Sequence, residues 1–280
     1  MAELNGTLQE VRSGRSLHVA TRAAGSDTTL FFLHGGGGNK EQWRLQWKQF
    51  DDGRHNLVAW DAVGHGQSPQ PRISEAYAGH ALLEDVSVLF ARHRTRRNIV
   101  VAHSYGARLI LAWLLAEAAA GRASGIDALA LVGPGPMGSI NPRALFGGWL
   151  GRLPLPLLEL TRPLLSRAFR KLAWHADADP ELVRAEQRAT RGNSLFMMQA
   201  LLAGAPDVDP EGLGGLALPV VILAGENDGL VSLASAADLA ERLPNASLHI
   251  LPRCGHQIML EKPAETNQAI NDLLAVGVEA

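Results

Sequence analysis

A chain of 280 residues, 46% hydrophobic and 19% charged, has the material for one large α/β domain with an insertion, and its composition excludes a disordered polymer. Lys and Arg number 26 against 28 Asp and Glu, a formal charge of −2, so no global field recruits nucleic acid or an anionic membrane. The one cysteine, Cys254, leaves no intrachain disulfide to form.

The opening MAELNGTLQEVRSGRS lacks the apolar core of a signal peptide. The longest apolar runs, such as LILAWLLAEAAA, are too short and too closely flanked by charge to span a bilayer, so the expectation is a cytoplasmic protein. Short β-rich runs follow: SLHVATRA (16–23), TTLFFLH (28–34), NLVAWD (56–61), NIVVAH (98–103) and IDALALVG (126–133). Between them NKEQWRLQWKQF, AYAGHALLEDVSVLFARHR and YGARLILAWLLAEAAAG place apolar residues near helical spacing. Near-continuous apolar strands alternating with helices predict a mainly parallel sheet covered on both faces. The basic run RHRTRR, Arg92 to Arg97, reads as a helix end, where cations meet the last carbonyls.

The alternation stops at Pro134. From about 137 to 215 there are helical segments broken by Pro and Gly and no convincing strand, which reads as an all-helical insertion. Strands return with LPVVILAG (218–225) and ASLHILPR (246–253), with SLASAADLAERL between them and a final helix from about Pro263. The second half therefore completes the first sheet. The expected division is a core of residues 1–136 and 216–280 with a helical cap at 137–215.

An open parallel sheet carries its chemistry beyond the carboxyl ends of its strands. Four polar clusters stand there: HGGGGN, HSYG, GENDG and CGHQ. They offer Ser104, Asp228 and His256 in that order. A serine hydroxyl attacks only when a base removes its proton, and the base needs a carboxylate to fix its tautomer. Taken alone, IVVAHSYGARL is equally readable as a helix N-cap, since serine is a favoured capping residue. Small residues around Ser104 between strand and helix also fit a nucleophile elbow, and the later clusters decide for that reading. Asp228 is preferred to Glu226 as the acid. His256 is preferred to the other histidines because it alone lies late in the chain on a glycine-flanked loop.

These clusters, with DAVGHGQS and GHQIMLEKP, make the chain resemble the α/β-hydrolase superfamily over almost its whole length, and within it small serine esterases and abhydrolase-domain-containing proteins. The resemblance implies a mostly parallel eight-stranded sheet with helices on both faces and a helical cap after the sixth strand. It also implies an oxyanion hole from the backbone N–H groups of Gly36 and Tyr105. One departure is Ala102, where the commonest motif has glycine. Asp61 and Ser68 read as loop-bracing residues, and His34, His65 and His103 as structural ones.

Gly37 in the glycine run and Trp149, Phe196 and Met197 in the insertion are the expected substrate-lining residues; the cap arginines read as a solvated helix face. The histidines form no H-x-x-x-H pair and no phosphate-binding glycine motif is present, so neither metal nor cofactor is expected. Cys254 reads as a small buried hydrophobe. The reading is a serine hydrolase acting on a small-molecule ester, with no nucleic-acid or membrane partner. The alternatives are a carbon–carbon bond hydrolase or cofactor-free haloperoxidase with the same triad, or a non-catalytic ligand-binding protein. Dehalogenases and epoxide hydrolases of the superfamily place an aspartate where Ser104 stands.

Overall fold

The computed structural model describes residues 4–136 and 160–276. Eight strands form one sheet: β1 (Gly6–Arg12), β2 (Arg15–Arg22), β3 (Thr28–Leu33), β4 (Asn56–Asp61), β5 (Arg97–His103), β6 (Ala128–Val132), β7 (Val220–Gly225) and β8 (Ala246–Leu251). Their order across the sheet is β1-β2-β4-β3-β5-β6-β7-β8. β2 runs antiparallel to both β1 and β4, and every other pairing is parallel.

β1 is the element the sequence reading misses. It lies at the sheet edge, where of its seven residues only Val11 is buried, so it shows no apolar period. Its one local signal is the turn before β2, where Gly14 takes φ +72°. β6 is shorter than its apolar run suggests, because Gly133 turns away at φ +54° and carries the chain out of the ladder.

The period of two along each strand sorts the core into two layers. On one face Phe31, Leu33, Val100 and Leu131 pack with residues of α2 (Gly79–His93), α3 (Tyr105–Ala119) and α7 (Leu233–Arg242). On the other, Leu30, Phe32, Val101 and Leu223 pack with Trp43, with Phe50 of α1 (Arg44–Phe50), and with Ile270 and Leu273 of α9 (Pro263–Ala275). α3 is buried at every position from Gly106 to Leu114, which is why its sequence shows apolar residues all round.

Between β6 and β7 the described residues form α4 (Arg162–Ala173), α5 (Pro180–Ala189) and α6 (Leu195–Ala203), with no strand among them. Asp179 caps α5 through the Glu181 N–H, and Ser194 caps α6 through the Met197 N–H. The buried Arg44–Glu186 ion pair, 2.5 Å, ties α5 to the start of α1. α8 (Ile258–Glu261) is a single turn that follows the loop after β8. No described helix is long and apolar enough to cross a membrane.

Candidate active site

Parallel strands present their carboxyl ends at one edge, so the loops after β3, β4, β5, β7 and β8 converge there. At the end of β5, Ser104 takes φ 49° and ψ −110°, a conformation costly for any residue with a Cβ. Two constraints hold it. The Ser104 N–H donates to Val132 O at 2.9 Å, and α3 lies so close to β3 that a Cβ on Gly106 would stand 2.7 Å from His34 O and 2.8 Å from Leu33 O. The Ser104 side chain makes no capping bond although it occupies the N-cap position, so its hydroxyl is not spent on α3. Ala102 is fully buried, in register with Leu33 and Leu131, and its methyl belongs to the layer beneath α3.

After β7, Asp228 Oδ1 accepts the Leu230 N–H (2.8 Å) and the Val231 N–H (2.9 Å), which aims Oδ2 at His256 Nδ1, 2.6 Å away. Both side chains are almost wholly buried, at 3% and 5% exposed. The proton on Nδ1 leaves Nε2 with its lone pair free to act as a base. Glu226, the competing carboxylate, is exposed, and among the described residues it accepts from the Arg253 N–H at 3.3 Å. His256 lies beside the elbow: its ring centroid is 4.7 Å from that of His103, its backbone O accepts from His103 Nε2 (3.0 Å), and its imidazole abuts Gly133. Among the described residues no hydrogen bond joins the Ser104 hydroxyl to His256, a contact that often tightens only when substrate binds.

The glycine run supplies the opposite wall. Gly35 N–H donates to Gln42 Oε1 (3.1 Å), Gly37 N–H to His65 Nε2 (3.0 Å) and Gly38 N–H to Gly35 O (3.0 Å). Gly36 N–H alone of these four has no acceptor among the described residues. Its direction is fixed, because Gly35 O also accepts from His34 Nδ1 (2.8 Å), and a trans peptide points its N–H opposite to its C=O. Gly36 lies against the Tyr105 Cβ, and the Tyr105 N–H opens α3, where leading amides lack an acceptor within the helix. The two amides therefore stand together.

Three histidines brace these loops in the neutral form. His34 Nε2 accepts the Ala62 N–H (2.9 Å), so its Nδ1 carries the proton. His65 is arranged likewise, with Nδ1 donating to Val63 O (2.9 Å). Burial holds His34 and His103 below the ordinary histidine range, and pushes His65 down to about 3. Asp61 and Ser68 brace the loop after β4, Asp61 accepting from Lys40 Nζ (3.2 Å) and the Gln67 N–H (2.9 Å), Ser68 Oγ donating to Asp61 O (2.5 Å). Cys254 is fully buried, its thiol pushed up to about 12 by desolvation.

Two supporting residues escape the sequence reading. Glu261 accepts N–H bonds from Gly255 (3.2 Å) and Gln257 (3.2 Å), on either side of His256, and from His175 (2.9 Å) beyond α4. Gln42, which holds Gly35, also donates to Gln257 Oε1 (3.1 Å) and so links the glycine run to the His256 loop. Neither residue type announces such a role, although Glu261 stands inside GHQIMLEKP.

Of the expected lining residues, Gly37 faces the site edge and is capped by Met198, whose sulfur would stand 3.4 Å from a Cβ at Gly37. Met197 is fully buried beside Gly64, because one residue of helix turns the side chain about 100° from Met198. Phe196 is half-buried, its ring edge-on to Tyr77 at 6.2 Å. Leu201 approaches Gly36, and its O accepts from the Tyr105 hydroxyl at 3.2 Å. Trp149 lies outside the described residues.

A family model described as "Alpha/beta hydrolase family" matches residues 30–269. Among curated proteins, Protein ABHD8 of Mus musculus is 27% identical over 274 residues, which is 94% of this chain and 60% of that protein. The chain thus spans about 60% of the length of this relative. Among solved structures, the esterase EaEST of Exiguobacterium antarcticum superposes with a TM-score of 0.82 at 17% identity, covering 97% of this chain and 100% of that one. A bromoperoxidase of Bacillus anthracis superposes with a TM-score of 0.76 at 14% identity, covering 96% and 99%. Identities this low carry the fold alone.

Proposed function

The chain belongs to the alpha/beta hydrolase family, and from that premise we propose that it is a serine hydrolase cleaving carboxylic esters through Ser104, His256 and Asp228. The observation that carries this reading is the pairing of a buried Asp228–His256 bond of 2.6 Å with a serine on a strained turn whose hydroxyl caps nothing. His256 Nε2 takes the Ser104 proton as Oγ attacks the ester carbonyl. The tetrahedral oxyanion is received by the N–H groups of Gly36 and Tyr105, preset donors that need no reorganisation as charge develops. Collapse breaks the bond to the alcohol, which leaves with the proton from His256. Water, deprotonated by His256, then releases the acid from Ser104.

Residues 137–215 serve in this reading as a cap over the site. Met198, Leu201 and the Tyr105 ring offer apolar surface beside the glycines, which favours an uncharged acyl group. Gly36 and Gly37 present no side chains, so the size of acid accepted is set by Met198, Leu201 and Tyr105, which stand against them. The test is labelling by a fluorophosphonate together with turnover of a panel of p-nitrophenyl esters. Ser104→Ala loses both while keeping its fold. Full esterase activity in that variant, or a wild type that ignores the probe, would overturn the assignment.

A further inference from the structure

We propose that α4 docks the protein on the surface of an anionic lipid bilayer. Of the eight large hydrophobic residues exposed among the described ones, four fall within one short stretch: Leu160 (76%), Leu164 (72%), Phe169 (47%) and Leu172 (44%). Singly exposed leucines are ordinary, but a cluster marks a surface that meets something. Leu164, Ala168 and Leu172 recur at i, i+4 and i+8 with Phe169 beside them, while Arg167 and Arg170 follow the adjoining flank of the same helix and Lys171 stands between Arg167 and Leu164. None of these three cations has an acidic partner among the described residues.

Charge selects the occupant. Residues 160–174 carry four Arg or Lys and no Asp or Glu, whereas the whole chain has slightly more acid than base. A short amphipathic helix with cations on one flank and Leu and Phe on the other lies in the plane between headgroups and acyl chains, and anionic lipid is what its charge complements. The position of α4 adds to this. Its last carbonyls reach the candidate active site, Leu172 O accepting the Gly229 N–H and Ala173 O the His256 N–H, both at 2.9 Å. α4 is thus anchored to the loops that carry Asp228 and His256.

The docking does not rest on the serine-hydrolase reading, and it is read without turnover. The full chain, as wild type and as Ser104→Ala, is sedimented with vesicles of phosphatidylcholine alone or mixed with phosphatidylglycerol, at low and high salt. Both forms bind the mixed vesicles and are released by salt. The triple variant Arg167→Gln/Arg170→Gln/Lys171→Gln loses about a hundredfold in partitioning, roughly fivefold for each cation removed. Leu164→Ser/Phe169→Ser weakens binding as well. All five side chains are exposed, so an unchanged thermal midpoint separates lost docking from lost fold. No sedimentation with either vesicle, as expected if another protein or residues 137–159 cover this face, overturns the proposal. Binding that ignores lipid charge and survives the triple substitution overturns it too.

Discussion

Gly106→Ala tests the geometry of the proposed oxyanion hole more sharply than removal of the nucleophile. A Cβ there would meet His34 O at 2.7 Å, Leu33 O at 2.8 Å and Leu33 C at 3.1 Å, all of them backbone atoms that no rotamer change moves aside. Restoring an ordinary contact near 3.4 Å requires α3 to lift from β3 by about 0.7 Å. Tyr105 rides on α3 and Gly36 on the loop after β3, so the lift separates the two amides. Misplacement by about 1 Å costs on the order of 10²-fold, so a fall of roughly 30- to 100-fold in kcat is expected, with KM little changed. Stability moves less, because overpacking of about 1–3 kcal/mol is offset by about 1 kcal/mol from replacing glycine with alanine in a helix. Steady-state kinetics on p-nitrophenyl acetate and thermal unfolding read the two effects, with Gly214→Ala, which meets nothing within 4 Å, as the control. A Gly106→Ala enzyme within twofold of wild-type kcat would refute the reasoning.

Three further outcomes are expected. Glu261→Ala strips the acceptors from three backbone N–H groups around His256 and His175, at about 1–3 kcal/mol for each donor left buried, and urea unfolding together with a parallel loss of kcat checks it. Arg44→Met leaves Glu186 buried without its partner and destabilises by about 3–5 kcal/mol, whereas Arg44→Met/Glu186→Met recovers most of that in the same unfolding assay. The histidine contribution to stability depends on pH in a fixed sense. His34, His65 and His103 have folded values below the ordinary 6.5, so their contribution is complete above pH 6.5 and is lost as pH falls below it, at about 1.4 kcal/mol per pH unit for each. Burial raises Asp85, Glu186 and Glu261, which act in the opposite sense, so the histidine share is read as the difference between wild type and His65→Asn at pH 5, 6 and 7. An identical pH slope in the two proteins would count against the neutral brace at His65.

Seven of the eight strands and both layers of helices are legible in the sequence: β3 to β7 because burial on both sheet faces demands unbroken apolar runs, β2 and β8 because their apolar residues still recur within a short run between turns. β1 is not, since GTLQEVR has only two large apolar residues, Leu8 and Val11, and their spacing of three fits no strand period. Which residues of α6 face the glycine run is not legible either. Phe196, Met197 and Met198 are all apolar, and only the helix's rotation decides that Met198 meets Gly37 while Met197 meets Gly64. Composition carries no such phase.

The same contrast runs through the candidate site. A serine on a strained turn, a base and an acid are chemically irreplaceable in their parts, so Ser104, His256 and Asp228 stand out wherever they follow strands. The groups that hold them are chosen only for having an acceptor or donor at the right distance. Glu261 gathers the N–H groups flanking His256, Gln42 joins Gly35 to Gln257, and His34 fixes the plane of the peptide that carries the Gly36 N–H. Other polar residues would satisfy these bonds, which is why their types gave no signal. The direction of the Gly36 amide therefore depends on a buried histidine outside the proposed triad. His34→Ala, which frees Gly35 O from one of its two donors, should lower kcat about tenfold with KM little changed, and should slow phosphonylation of Ser104 by a saturating fluorophosphonate in parallel, since that step uses the same amides. A kcat equal to wild type would show that the Gly38 N–H alone holds that peptide.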